Sequence, residues 1–223
     1  MIKDSRQATR SEVFEIENAV LHLETVSGDI TVSESADGKC YVYLFANSEN
    51  ARHLADDAEV SVSGRKISIR VRYKETGFKR FFNGRSDDVD IELQLPRSSG
   101  LVAKAVSADI EVRDTLMSAE INSVSGDISV LQNPTTTCAL KTVSGDITTH
   151  TFSACDYTLR SVSGDITVHV APGLEIDVDG KSLSGDTESE ISLSSSAGEA
   201  EENAETVTIN AKTVSGDIKI AKN

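Results

Sequence analysis

Thr25-Val26-Ser27-Gly28-Asp29-Ile30, TVSGDI, is the stretch whose reading decides the fold. Near copies return as AVSADI from Ala105, SVSGDI from Ser123, TVSGDI from Thr142, SVSGDI from Ser161, SLSGDT from Ser182 and TVSGDI from Thr213. The fourth residue of each falls at 28, 108, 126, 145, 164, 185 and 216, so the middle steps are 18, 19, 19 and 21 residues. That step is short for a helical repeat and suits one coil of a β-solenoid.

The residues between the motifs alternate. The coil opening at Ser107 offers Ile110, Val112, Ala119, Ile121 and Val124, and the coil from Ser125 offers Ile128, Val130, Cys138, Leu140 and Val143. The coil from Ser144 offers Ile147, Thr149, Tyr157, Leu159 and Val162. A period of two marks a strand with one buried face. Laid over one another, these positions form columns, Ile110 over Ile128, Ile147 and Ile166, and Val124 over Val143 and Val162. A buried Val or Ile contributes about 1.5–3 kcal/mol, and one coil cannot cover its own face, so stacking completes the core. In this reading the motif's Val and Ile point inward, Ser points outward, Gly turns the chain and Asp follows the turn. Ser and Asp are suited to cap backbone N–H groups there. Ala108 in the second copy implies that a positive φ is not required at that corner.

Two regions break the period. Between the first and second motifs, Lys39–Phe45 reads as a strand, and Ser48 to about Asp57 as a short helix capped by Ser48 or Asn47. Glu59–Val62 and Lys66–Tyr73 read as a hairpin with Ile67, Ile69, Val71 and Tyr73 on one face, and Asp88–Leu95 as a further strand ended by Pro96. Ser61-Val62-Ser63-Gly64-Arg65 imitates the motif but lacks Asp-Ile, and reads as the hairpin turn. The second break, Thr187–Glu205, carries Glu188, Glu190, Glu199, Glu201, Glu202 and Glu205 and reads as a solvated loop. The expected division is 1–100, strands, short helix and hairpin leading into the solenoid, and 101–223, repeat coils, as one continuous domain.

Composition narrows the function classes. Of 223 residues, 38% are hydrophobic and only 4% aromatic, with no Trp, so the core is expected to be slim and aliphatic. The net charge of −14 disfavours nonspecific binding to nucleic acid or anionic membrane. Cys40, Cys138 and Cys155 are odd in number and lack CxxC spacing, so they read as buried small hydrophobes in a reduced compartment. The opening MIKDSRQATRSEVFEI has charges without a following apolar run, and no stretch approaches the ~20 apolar residues of a membrane span. The expected location is cytoplasmic for the chain as given, and the cell surface if a leader or anchor has been trimmed.

The recurring [TS]-V-S-G-D-I with strand spacers, preceded by a hairpin and DVDIELQLP, resembles the bacterial DUF4097, or "putative adhesin", family over roughly residues 13–220. The resemblance implies an all-β, right-handed single-stranded β-solenoid or β-roll with a small hairpin-plus-helix elaboration near the N-terminus. It offers no catalytic residues to carry over, and it implies a protein or cell-envelope partner.

Three sets of residues are candidates for binding. Asp109, Asp127, Asp146 and Asp165 are expected in a column about 4.8 Å apart, where unpaired carboxylates repel by about 1 kcal/mol in water. Either backbone N–H and Ser hydroxyl groups offset this, or a cation such as Ca²⁺ bridges the column. The basic-aromatic stretch Arg72–Arg85, with Lys74, Phe78, Lys79, Arg80, Phe81, Phe82 and Arg85, either touches a partner or folds back as a hairpin tip. His150 and His169 each follow a motif Gly by five residues and are a weak metal pair; His22 and His53 lie elsewhere. No Ser/His/Asp or metal-ligand spacing is present, so no catalytic residue and no cofactor is expected, Ca²⁺ being the one possibility. The sequence thus reads as a noncatalytic scaffold. The alternatives are a filament self-assembling through the open solenoid ends, a Ca-binding β-roll and, last, a carbohydrate-active enzyme.

Overall fold

Each motif joins a strand of one sheet to a strand of a second sheet, and the joined pair is one coil. The computed structural model describes residues 7–72, 87–190 and 206–223. The coil built on the first motif joins β2 (Val20–Glu24) to β3 (Ile30–Glu34). The next four run from β8 (Gly100–Lys104) to β9 (Ile110–Val112), β10 (Ser118–Asn122) to β11 (Ile128–Val130), β12 (Thr137–Lys141) to β13 (Ile147–Thr151), and β14 (Asp156–Arg160) to β15 (Ile166–Val170). Successive coils pair in parallel and in register, with Ile110 beside Ile128, then Ile147, then Ile166, all essentially inaccessible to solvent. The opposite sheet supplies Ala119, Cys138 and Tyr157 in one column and Ile121, Leu140 and Leu159 in another. The fold is therefore the expected β-solenoid, with two long sheets enclosing one aliphatic core.

The order of coils in space departs from their order in sequence at both ends. β16 (Glu175–Ser184) and β17 (Thr187–Ser189) form the coil of the SLSGDT copy, and β18 (Thr206–Ser215) and β19 (Ile218–Lys222) the coil of the last TVSGDI. The later coil inserts between β14/β15 and the earlier one, so β16/β17 is outermost. Burial explains the preference. Val207, Ile209, Ala211, Ile218 and Ile220 of the inserted coil are buried, whereas β16 buries Ile176 and leaves Leu183 83% exposed. The more polar coil caps the stack. Thr187–Ser189, expected in a loop, is thus a short strand, and the rest of the Glu-rich stretch from 191 to 205 lies outside the described residues.

At the other end, β6 (Lys66–Arg70) pairs in parallel with β2, and β7 (Val89–Leu95) with β3. They make an eighth coil, its two strands separated in sequence by residues 71–88. The end is finished by antiparallel strands: β4 (Cys40–Ala46) on β7, β1 (Arg10–Phe14) on β4, and β5 (Glu59–Ser63) on β6. β5 and β6 are the expected hairpin, turning at Gly64, and they bury Ile67 and Ile69. The short helix is α1 (Glu49–Asp56); Ser48 Oγ accepts the Ala51 N–H at 3.0 Å, and Ala51 and Ala55 are buried.

One inward assignment is corrected. Val106, Val124, Val143, Val162 and Val214 are 46–48% exposed, and the residues turned inward are the motif's first positions, Thr25, Ala105, Ser123, Thr142, Ser161 and Thr213. The column Val124–Val143–Val162 exists, but on the outside. At the corner the chain leaves one sheet for the other, and the bend resets the alternation that holds within each strand.

Candidate functional site: the repeated corner

The corner is built from stacked backbone. Ser27, Ser107, Ser125, Ser144, Ser163 and Ser215 bridge from coil to coil, and the N–H groups of Gly126, Gly145, Gly164 and Gly216 reach the Ser carbonyl of the next coil, as Gly145 N to Ser163 O at 3.2 Å. A Cβ on Gly145 would lie 2.2 Å from the Gly126 carbonyl oxygen, and Gly126, Gly164 and Gly216 meet the preceding coil in the same way. Close approach of backbone to backbone demands glycine here. Ala108 is not among the positive-φ residues, so its corner turns without the left-handed conformation, as expected.

The aspartates form a hydrogen-bonded ladder. Asp109 Oδ1 accepts the Asp127 N–H at 2.9 Å, Asp127 Oδ1 accepts the Asp146 N–H at 2.8 Å, and Asp146 Oδ1 accepts the Asp165 N–H at 2.8 Å. Asp165 serves Asp217 and Asp217 serves Asp186, following the spatial order of the coils. At the other end Asp90 Oδ1 accepts the Asp29 N–H at 3.2 Å. The four candidate carboxylates are therefore brought into one line, and an N–H donor occupies Oδ1 of each. Backbone donors offset the repulsion within the column. Burial, then the charges of Asp90 and Asp109, push the Asp29 carboxyl above its ordinary range. Val89-Asp90-Ile91 occupies the Gly-Asp-Ile position of the eighth coil, and the Asp-Ile pair was the only sequence signal for it.

The other candidates are less tied to the corner. Lys74, Phe78, Lys79, Arg80, Phe81, Phe82 and Arg85 lie outside the described residues. His150 and His169 are brought together on adjacent strands, their rings stacked at 4.5 Å, with His150 Nδ1 3.1 Å from Asn223 Oδ1. Burial, then the neighbouring His150, lowers the His169 pKa. His22 is on β2 and His53 on α1, apart from this pair. Cys40, Cys138 and Cys155 are free and buried; burial pushes the Cys138 thiol well up and the Cys155 thiol up to about 12, so both behave as apolar groups. Among the described residues, no group of three His, Cys, Asp or Glu side chains is placed to hold a metal. No described helix is long and apolar enough to cross a membrane.

Two surface features escaped the sequence reading. One is the exposed ridge of Val106, Val124, Val143, Val162, Val214 and Leu183. The other is a cationic column two positions before it on the outer face of the second sheet. There Lys141 lies beside Arg160, Arg160 beside Lys212, and Lys212 beside Lys181.

The family model described as Toastrack DUF4097 matches residues 114–221, which is β10 through β19 with their corners. The chain is similar to that family over this segment, just under half of its length. No curated protein matches the chain. Among solved structures, a Clostridium sporogenes protein described as a "putative cell adhesion protein" is similar with a TM-score of 0.55 at 11% identity, over 96% of this chain and 99% of that one. A Bacteroides fragilis "putative adhesin" has a TM-score of 0.47 at 12% identity, over 96% of each chain. At such identities the first likeness establishes the fold, which thus extends well beyond the Toastrack segment, and nothing more.

Proposed function

We propose that the chain is a noncatalytic solenoid scaffold that engages a protein or cell-envelope partner along the outer side of its repeated corner. The observation that carries this reading is the ridge. Single exposed aliphatic residues are ordinary on a soluble surface, but a contiguous apolar line is a mark of an interaction site. With one residue per coil from Val106 to Leu183, the line runs for about 24 Å. The reading is further supported by how the remaining corner groups are used: the carboxylates hold the stack, and the thiols are buried and inert. The adhesion-related descriptions of the similar structures agree with it.

The test is co-sedimentation of the labelled protein with bacterial envelope fragments. The triple variant Val124→Ser, Val143→Ser, Val162→Ser is expected to sediment several-fold less while melting as the parent does. Equal sedimentation of parent and variant would remove the ridge from the mechanism.

A further inference from the structure

The cationic column is the feature that the stacking does not explain. Read across the outer face of the second sheet, adjacent coils place Arg70, Glu24, Lys104, Asn122, Lys141, Arg160, Lys212 and Lys181 side by side. At one end the charges are neutralised: Arg70 and Arg72 both pair with Glu24, at 3.2 and 3.0 Å. At the other end four cations stand on consecutive strands. Lys181 pairs with Asp179 at 3.0 Å, and the charge of Asp179 also feels Lys212. Among the described residues, no ion pair engages Lys141, Arg160 or Lys212. Glu120 lies diagonally from Lys141, and its Oε1 accepts from Asn122. Like charges directly opposite one another on adjacent strands are unfavourable. A chain of net charge −14 that nevertheless lines up four cations has built a strip of the opposite sign to the rest of its surface.

The surroundings restrict what the strip can hold. On one side lies the aliphatic ridge, with Val143, Val162, Val214 and Leu183 each two residues after a member of the column. On the other side lie Ala139, Thr158 and Asn210, small side chains that keep the face flat, with Thr158 offering a hydroxyl, and the row ends on the Asp179 carboxylate that pairs with Lys181. The strip is on a sheet face, where an acidic peptide would find no backbone edge to pair with. It has no aromatic ring to stack a nucleic-acid base. A pyranose chain carrying one carboxylate per sugar meets all three features: its charges repeat along a line, its C–H faces are apolar, and its hydroxyls seek small polar groups.

We propose that Lys141, Arg160, Lys212 and Lys181, with the valine ridge beside them, bind a linear acidic polysaccharide of the polyuronate class, lying across the coils along the solenoid axis. This rests on the interaction reading above and names the partner's chemistry. Neighbouring cations stand about 4.8 Å apart, well inside the Debye length of about 8 Å at physiological salt. They therefore act as one line charge, offset in part at the Lys181 end by Asp179, while acidic groups beyond the Debye length are screened.

The experiment is titration calorimetry of the full chain with polygalacturonate and alginate oligomers at low and physiological salt. Dextran, polyglutamate and a single-stranded oligonucleotide serve as controls. Binding of the uronates is expected to weaken with salt, and to fall at least about tenfold in Lys141→Glu, Arg160→Glu, Lys212→Glu, whose thermal unfolding should match the parent's. Should that variant fold poorly, Lys141→Gln with Arg160→Gln reads the same loss. No uronate binding at low salt overturns the proposal, as does equal binding of polyglutamate or the oligonucleotide, or binding indifferent to the charge variants. Envelope sedimentation that depends on the valines and not on the cations would leave the scaffold reading intact and sink this one.

Discussion

Replacing Gly145 by Ala tests whether the corner is a stack of backbones in contact. A Cβ at this position would lie 2.2 Å from the Gly126 oxygen, 2.7 Å from its carbon and 3.2 Å from Asp127 Oδ1, and the backbone φ is +155°. The two nearest atoms are backbone, so relief requires the coils to part. Parting stretches the Gly126–Ser144 hydrogen bond, 3.2 Å, and the Asp127–Asp146 rung of the ladder beside it. The unfavourable φ costs about 1–2 kcal/mol and the overpacking about 1–3 kcal/mol, or about 3 kcal/mol together. For a chain of this size each kcal/mol moves Tm by roughly 2–4 °C, so G145A should melt roughly 6–12 °C below the parent by circular dichroism. Gly173 is the control. Its φ is +87° but nothing lies within 4 Å of its Cβ position, so G173A should lose only about 1 kcal/mol and roughly 2–4 °C. If the two variants melt together, close approach is not what selects glycine at the corner.

Further expectations follow from the ladder and the histidine pair. Asp146→Ala removes the acceptor of the Asp165 N–H at an exposed corner and should cost about 1 kcal/mol in urea unfolding. Asp146→Asn keeps an acceptor and should cost much less; equal losses would mean the ladder contributes nothing. Because Oδ1 of each column carboxylate already accepts an N–H, millimolar Ca²⁺ should leave Tm within about 1 °C, and a clear rise would revive the cation-bridged column. The His169 pKa is lowered on folding, so its contribution to stability is present above the ordinary histidine pKa of about 6.5 and is lost as pH falls through the folded value. The parent should therefore lose more stability between pH 7 and pH 5 than His169→Gln; parallel pH profiles would refute this.

How much of this could be read from sequence depended on whether the signal was local. Within a strand, period-two alternation placed Ile110, Ile128, Ile147 and Ile166 in their column and Ile67 and Ile69 in the hairpin, because each side chain's facing follows from its neighbours. Between strands that rule lapses, and the corner valines were assigned to the wrong side. The coil swaps were invisible to spacing, since parallel pairing depends on which edge buries more apolar surface. The polarity of EIDVDGKSLS against TVTINAKTVS was nevertheless a legible hint. The eighth coil was hidden because Val89-Asp90-Ile91 keeps only the end of the motif. The cationic strip did leave a trace: Lys104, Lys141, Arg160, Lys181 and Lys212 each immediately precede a motif copy, an offset that gains meaning only once the copies are known to stack.

The exchange of coil order also governs how the molecule is assembled. Glu175–Ser189 leaves the ribosome before residues 206–222, yet the later segment alone offers it an edge, on β18 and β19. The earlier segment must therefore wait, unpaired, until the later one has docked on β14 and β15 and closed over the gap. Growth of the stack cannot proceed as simple winding from one end. A nascent chain halted before residue 206 would stop at β14/β15 with an open edge. Loss of β18 and β19 in a truncated product would also deprive β16 and β17 of their pairing partners and leave a sticky, protease-sensitive end rather than a slightly shorter solenoid.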